Sequence, residues 1–259
     1  MKPWILFFIF SLIASACSSL APIPTATLTL ASIPSLEPTS SPIPINSPSP
    51  TQIPTFTPIP IIQICTPLQD HELARITDYI SHPFTDSIGS NEETGHHGVD
   101  FSYYTKDGSG PPIDGNPVQS MINGRVAGIG VNRLPYGNML IIETPFENLP
   151  EAIVDYFQLQ AGSSIYLLYA HMLASPIHKL GQMISCGEFI GNVGNSGFSG
   201  NPHLHLETRV GPSGLDLPTM IFYDTTATLA EQAAYNEWRI GEIFTLFDPT
   251  AFLNLLGDD

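Results

Sequence analysis

The chain has 259 residues, with 8 Lys or Arg against 24 Asp or Glu, so its formal net charge at neutral pH is -16. Nucleic-acid binding needs clustered cations that neutralise phosphates, and this charge balance therefore argues against a nucleic-acid partner. An acidic excess of this kind is typical of a well-solvated protein surface.

The first 17 residues have the pattern of an export signal. Lys2 supplies a positive end, and an apolar stretch over residues 4–16 follows that is too short to span a bilayer. The run Ala14-Ser-Ala before Cys17 resembles the lipobox of bacterial lipoproteins, in which Leu is usual at the position of Ala14. This resemblance implies cleavage before Cys17 and its multiple acylation, which anchors a protein firmly in a membrane. An ordinary secretory signal is the alternative, and both signals export the protein.

Residues 18–62 have the composition of a stalk. They are rich in Ser, Thr and Pro, and Glu37 is their only charged residue. Closely spaced prolines remove backbone donors and favour an extended polyproline II conformation. At about 3.1 Å per residue, a stalk of about forty residues holds the following domain on the order of 100 Å from the membrane.

Residues 63–259 have the pattern of one mainly β domain, because short apolar runs alternate with Gly, Asn and Pro turns. In chain order, the expected strands span residues 98–102, 118–122, 125–129, 138–144, 164–171, 189–193 and 203–210. Asn123-Gly124 predicts a tight hairpin between the second and third of these strands, because this dipeptide readily adopts positive φ.

A few short helices are expected at the periphery of the sheet. One covers Asp70 to Ile80. Another begins after Thr228, because Thr228 and Glu231 match a capping box, and it continues through Trp238 towards residue 247. The stretches 145–162 and 211–248 do not fit a minimal sheet and are interpreted as insertions.

Histidines and one aspartate in three separate segments give the strongest chemical signal. The segments are His96-His97-Gly98-Val99-Asp100, Tyr169-Ala170-His171 and His203-Leu204-His205-Leu206-Glu207. A catalytic zinc site takes three protein ligands from imidazole and carboxylate groups and leaves a fourth position for water. The period of two along a strand places His203 and His205 on one face.

In their order and spacing, these segments resemble the lysostaphin and LytM type of zinc metallopeptidase, with its His-x-Gly-x-Asp, Tyr-Ala-His and His-x-His signatures. The resemblance covers residues 95–210 and leaves residues 211–259 as a C-terminal extension. Connecting segments also resemble this family, at residues 115–118, 123–126, 136–138, 181–182, 191–197 and 201–203. The family implies an antiparallel β-sheet metallopeptidase domain with an open groove.

The resemblance also implies roles for single residues. His96, Asp100 and His205 would bind one zinc ion per chain, and His171 and His203 would be the catalytic histidines beside it. His97 in place of His96 is an alternative, although neighbouring strand residues point to opposite faces.

Three further residues lie near or between these motifs without matching a catalytic position. Glu207 shares a strand face with His203 and His205, so we expect it to support a ligand rather than to act as an acid. His82 and His178 match no motif, and we expect each to be exposed or locally hydrogen-bonded.

The function that the resemblance implies is hydrolysis of peptide cross-links or stem peptides in bacterial peptidoglycan. The sequence has no His-Glu-x-x-His motif, so a histidine must act as the base or stabilise the oxyanion, and both His171 and His203 are candidates. The expected protein is a monomeric, extracytoplasmic lipoprotein that faces the cell wall. The alternatives are a catalytically silent regulator of other wall hydrolases and a zinc peptidase that acts on proteins.

Cys65 and Cys186 are the two cysteines besides Cys17. Disulfides persist in exported proteins, so we expect Cys65 and Cys186 to pair. Closing a loop of about 120 residues would stabilise the fold by roughly 4 to 5 kcal/mol in the chain-entropy model. Two separately buried free thiols are the alternative.

Overall fold

The computed structural model describes residues 64–86, 94–103, 109–222 and 224–255. The expected signal segment, Cys17 and the expected stalk over residues 18–62 lie outside these ranges. Within them, no helix is long and apolar enough to cross a membrane.

Within the described residues, ten strands make up most of the regular structure. In chain order they are β1 Ile80–His82, β2 Val99–Phe101, β3 Pro117–Gln119, β4 Gly124–Arg133, β5 Gly137–Pro145, β6 Ser163–Ala170, β7 Met183–Ile184, β8 Phe189–Asn192, β9 Leu204–Pro212 and β10 Thr245–Phe247. The main sheet has the order β1-β2-β9-β6-β5-β4-β7, and β10 also pairs with β9. Strands β3 and β8 form a separate two-stranded sheet.

All pairings between these strands are antiparallel. The helices are short: α1 Glu151–Tyr156, α2 Leu229–Ile240, α3 Pro249–Asn254, and two 3-10 helices at Leu73–Tyr79 and Phe146–Asn148. The expected fold class, an antiparallel sheet with a few short peripheral helices, is therefore confirmed, and the seven expected strands are all present.

The centre of the main sheet is buried on both faces. On β6, Leu167 and Tyr169 belong to one apolar cluster, whereas Tyr166 and Leu168 belong to a second cluster on the opposite face. Trp238 of α2 packs in that second cluster. The C-terminal extension therefore covers one face of the sheet that carries the histidine motifs.

The expected hairpin at Asn123-Gly124 is wrong. Strand β3 pairs with β8, and β4 pairs with β5 and β7. The side-chain oxygen of Asn123 instead accepts a hydrogen bond from the backbone N–H of Cys186 at 2.8 Å. The backbone carbonyl of Asn123 accepts one from the Thr144 hydroxyl at 2.7 Å. Non-local pairing has overridden the local turn preference.

The helix expected over residues 70–80 is also wrong in kind and extent. A 3-10 helix covers Leu73–Tyr79, and the chain then continues into β1, which pairs with β2. The second expected helix is present as α2 with both hydrogen bonds of the Thr228–Glu231 capping box, but it ends at Ile240. It cannot continue to residue 247 because β10 pairs there with β9.

A disulfide joins Cys65, in the segment before the first helix, to Cys186, between β7 and β8, across 121 residues of sequence. The backbone N–H of Cys65 also donates to the carbonyl of Met121 at 2.8 Å. The beginning of the described domain is thus attached to the small β3–β8 sheet region.

Candidate metal centre

Two adjacent strands bring the first and third histidine motifs together. Strands β2 and β9 pair in a register that places Asp100 opposite His205. His96 lies just before β2, where its backbone exchanges two hydrogen bonds with Thr85, at 2.9 and 3.0 Å. The three residues predicted as zinc ligands therefore meet where β2 and β9 pair.

The donor atoms of these three residues converge on one point. His96 Nε2 lies 3.1 Å from Asp100 Oδ1 and 3.2 Å from His205 Nδ1, and His205 Nδ1 lies 2.8 Å from the same Asp100 oxygen. A tetrahedral zinc ion about 2.0–2.1 Å from each ligand would place donor atoms about 3.3 Å apart. Shifts of a few tenths of an ångström would open this triangle to that size, so the donor set fits zinc.

The electrostatics of the triangle also favour a cation. Burial alone would raise the pKa of Asp100, but hydrogen bonds from His205 and His96 hold it well below its usual value. Burial alone would lower the pKa of His205, yet its hydrogen bonds to Asp100 and Glu207 raise it to about 9. In the metal-free chain a proton on His205 therefore stands where a metal ion would bind.

Gly98 allows the two strands to approach at this point. A Cβ atom at Gly98 would lie 2.8 Å from Cε1 of the His205 ring, and it would also collide with the carbonyl oxygen of Leu206. The Gly of the His-x-Gly-x-Asp motif is therefore required by the close packing of His205 against β2.

Glu207 lies directly behind His205. The His205 Nε2–H group donates to Glu207 Oε1 at 3.1 Å, and the Tyr136 hydroxyl donates to the same oxygen at 2.7 Å. Glu207 Oε2 accepts from Arg209 at 3.0 and 3.2 Å and from Trp238 of α2 at 2.9 Å. Burial would raise the pKa of Glu207, but the charge of Arg209 and the bond from His205 keep it well below its usual value.

His171 and His203 flank the triangle. His203 Nε2 lies 3.6 Å from Asp100 Oδ1, and the rings of His171 and His203 are 4.6 Å apart between centroids. His171 follows β6 with φ of 60°, a left-handed conformation that costs a non-glycine residue about 1–3 kcal/mol and is common at functional sites. The backbone therefore turns this ring into the site.

Both rings have the same hydrogen-bond pattern. His171 Nδ1 lies 2.7 Å from the carbonyl oxygen of Ser196, and His203 Nδ1 lies 2.8 Å from that of Asn201. Because a carbonyl only accepts, each Nδ1 carries the proton and each neutral ring keeps an acceptor at Nε2. Burial lowers the pKa of His171 to about 3 and also lowers that of His203, so both rings are neutral at neutral pH.

His97 points away from the triangle. Its Nε2 lies 3.2 Å from the carbonyl oxygen of Thr94, and its Nδ1 lies 3.3 Å from a guanidinium nitrogen of Arg209. Burial lowers the pKa of His97 to about 4. The geometry therefore favours His96, rather than His97, as the first donor.

The two histidines outside the motifs differ from each other. His178 is hydrogen-bonded locally, to the carbonyl of Phe189 and to Gln182, both at 3.0 Å, as expected. His82 is exposed, as expected, but it also belongs to the histidine cluster. Its ring stacks on that of His96 with centroids 3.9 Å apart, and its ligand atom lies within 4.8 Å of those of His96 and Asp100. The sequence carries no motif for this contact, which arises because β1 pairs His82 with Asp100.

A groove of about 460 Å³ opens over the cluster. Its lining includes Tyr235 and Arg239 of α2, which belong to the C-terminal extension, and the exposed ring of Phe198. The other lining residues are His82, Gly95, His96, Pro135, Tyr136, His171, His203 and His205. The stretch interpreted as an insertion after residue 210 thus supplies part of one wall of the site.

Comparison with known proteins gives a family match to the same region. Residues 94–217 match the model described as peptidase family M23. No curated protein sequence matches the chain at a significant level.

Several solved structures are similar to the chain. A zinc containing peptidase from Vibrio cholerae is 28% identical, with 50% of this chain and 32% of that chain covered and a TM-score of 0.33. The catalytic domain of lysostaphin from Staphylococcus simulans is 19% identical, with 71% and 98% covered and a TM-score of 0.40. A complex of SpoIIIAH and SpoIIQ gives 18% identity, 56% and 91% coverage and a TM-score of 0.36. The chain spans 32% and 43% of the first two structures found.

Proposed function

Because residues 94–217 of this chain belong to peptidase family M23, we propose that the protein is a zinc-dependent endopeptidase that hydrolyses peptide bonds in bacterial peptidoglycan. One observation carries the zinc-dependent part of this proposal. The donor atoms of His96, Asp100 and His205 lie within 2.8 to 3.2 Å of one another, and His96 and His205 line the groove. Two imidazoles and a carboxylate are a donor set that zinc prefers at catalytic sites.

The residues around the triangle have separate tasks in this proposal. Zinc bound at the three donors would supply Lewis acidity, polarising the scissile carbonyl and making water a better nucleophile. His171 and His203 each present a proton acceptor at Nε2, because their Nδ1 atoms are held by the carbonyls of Ser196 and Asn201. Either ring can therefore take a proton from the attacking water and return it to the leaving amine.

The groove suits an extended peptide. It is partly open to solvent, and Phe198, which is 75% exposed, lies at its rim. Aromatic rings at such rims bind apolar parts of a ligand at small conformational cost. The family is the basis for choosing peptidoglycan as the substrate.

We place the protein outside the cytoplasm, anchored by lipid at Cys17 and carried by the Ser-, Thr- and Pro-rich stalk. This placement depends on the sequence pattern of residues 1–62. Such an arrangement would keep the groove within reach of the wall while the lipid stays in the membrane.

The test uses the chain expressed from residue 18, loaded with zinc and incubated with purified peptidoglycan, and separately with casein. Mass spectrometry of the soluble products should show wall fragments with newly formed peptide termini. Release should stop when a chelator removes zinc and return when zinc is restored. Cleavage of casein alone would indicate a protein peptidase, and no cleavage of either substrate would indicate a catalytically silent protein.

A further inference from the structure

The segment of residues 80–83 lies against the far side of two of the three donor residues. His82 Nδ1 is 3.4 Å from Asp100 Oδ2, the carboxylate oxygen that does not contact the other two donors. The next residue, Pro83, offers its carbonyl oxygen to His96 Nδ1 at 2.9 Å. Two consecutive residues therefore contact two different proposed zinc ligands: His82 contacts Asp100, and Pro83 contacts His96.

Ring stacking adds a second contact to the same segment. The rings of His82 and His96 are 3.9 Å apart between centroids and only 8° from parallel. A parallel neighbour restricts rotation of the His96 ring, while the carbonyl of Pro83 keeps the proton on its Nδ1. Together these contacts fix the orientation of the His96 ring and direct its Nε2 at the triangle.

The backbone fixes the segment in place. Strand β1 pairs His82 with Asp100, and Thr85 exchanges two backbone hydrogen bonds with His96. Backbone hydrogen bonds on both sides of His82 thus position its side chain against Asp100 and His96. The third donor, His205, is held from behind by Glu207, which lies on the same strand. Both residues belong to the segment that matches the family model, which begins at residue 94. Residues 80–83 precede that segment.

We propose that residues 80–83 are part of the metal centre and that His82 is a positioning residue for the ligands Asp100 and His96. This inference rests on the proposed zinc site. His82 holds Asp100 Oδ2, so that Oδ1 stays directed at His96 and His205. Outer partners of metal ligands typically change metal affinity by about 10- to 100-fold. His82 is 60% exposed and its contact is 3.4 Å long, so the expected effect is at the lower end, about tenfold.

A direct role of His82 as a fourth ligand is the competing interpretation, because ligand atoms of His82, His96 and Asp100 lie within 4.8 Å of one another. The geometry favours positioning. His82 faces Oδ2, whereas the atoms that converge on a common centre face Oδ1. A fourth protein ligand would also take the position that a catalytic zinc site leaves for water.

The experiment measures zinc affinity of the purified chain by competition with a chromogenic chelator. The variants are His82→Ala and His82→Asn. The control is His71→Ala, which removes a histidine outside residues 80–83 whose Nδ1 lies 2.8 Å from the carbonyl oxygen of Gln69. His82→Ala should weaken zinc binding about tenfold and still bind one zinc per chain at saturation. His82→Asn should recover most of the affinity, because an Asn amide nitrogen can occupy the place of Nδ1. His71→Ala should bind zinc like the wild type.

Cobalt substitution supplies a second readout. The visible absorption spectrum of bound Co²⁺ reports ligand geometry, and His82→Ala should alter it while His82→Asn and His71→Ala leave it unchanged. Unfolding of each metal-free variant checks that the fold is retained. Unchanged affinity and spectrum in His82→Ala, or loss of zinc at saturation, would overturn the inference. A wild-type chain that binds no zinc would instead overturn the proposed function.

Discussion

Replacing Glu207 by Gln tests whether the carboxylate behind His205 controls both the stability of the domain and its metal affinity. Glu207 is fully buried and accepts hydrogen bonds from Tyr136, His205, Arg209 and Trp238. A Gln amide has one acceptor oxygen and one NH₂ group. In either orientation, the NH₂ group of the variant would face groups that donate.

The expected loss of stability is large. Removing one partner of a buried ion pair leaves Arg209 uncompensated, which typically costs about 3–5 kcal/mol. Loss of the outer partner of His205 should also weaken zinc binding by about 10- to 100-fold. The two effects have different causes, so they can be measured separately.

The metal-free chain offers a third observable, the pH dependence of stability. Burial would lower the pKa of His205, but its bonds to Asp100 and Glu207 raise it to about 9. Stabilisation from this proton is fully present below the unfolded pKa of about 6.5 and is lost as pH rises to about 9, a difference of about 3 kcal/mol. Because Glu207→Gln weakens one of the two bonds, its unfolding free energy should depend less on pH in this range.

Glu143→Gln is the matched control. Glu143 is also a buried carboxylate in the sheet, with Arg125 at 2.6 Å and the Ser164 hydroxyl at 2.8 Å, but it lines a different cavity. Urea unfolding with chelator present, at several pH values, should show both variants destabilised, and chelator competition should show zinc affinity lowered only in Glu207→Gln. Equal zinc affinity in the two variants, or an unchanged pH slope in Glu207→Gln, would refute the reasoning.

Four further predictions use single substitutions or simple assays. In His205→Ala, zinc content and peptidoglycan cleavage should fall together. His203→Ala and His171→Ala should keep zinc, but their rate of peptidoglycan cleavage should fall by about 100- to 10,000-fold. Zinc loss from His203→Ala but not from His205→Ala would reverse the roles assigned to these two residues. Gly98→Ala should destabilise the fold by about 1–3 kcal/mol and weaken zinc binding, because the new Cβ collides with His205 and Leu206. A variant with the same thermal unfolding and zinc affinity as the wild type would contradict this prediction. Cys17→Ser should release the protein from the membrane fraction, and retention there with the signal removed would disprove lipid anchoring. Thiol titration of the unfolded, unreduced domain should find neither Cys65 nor Cys186 reactive, and two reactive thiols would rule out their pairing.

Local pattern predicts most of the strands, and the resemblance to a family selects the residues of the triangle. Short apolar runs bounded by turn residues predict strands because alternation along the chain is a local property. His96, Asp100 and His205 were selected by the resemblance of three motifs in order. The fold brings their donor atoms together because β2 and β9, more than a hundred residues apart in sequence, pair in the register Asp100↔His205.

Only the tertiary structure decided which other residues join the site. His82 carries no motif and reaches Asp100 through the β1–β2 pairing. Trp238 reaches Glu207 because α2 packs across the sheet. The capping box predicts this helix, but nothing local predicts where it packs. The Asn123-Gly124 turn failed as a hairpin for the same reason: the partner of β3 is β8, about seventy residues further along the chain. Pairing and packing between distant segments depend on the free energy of the whole fold, which a local sequence pattern does not contain.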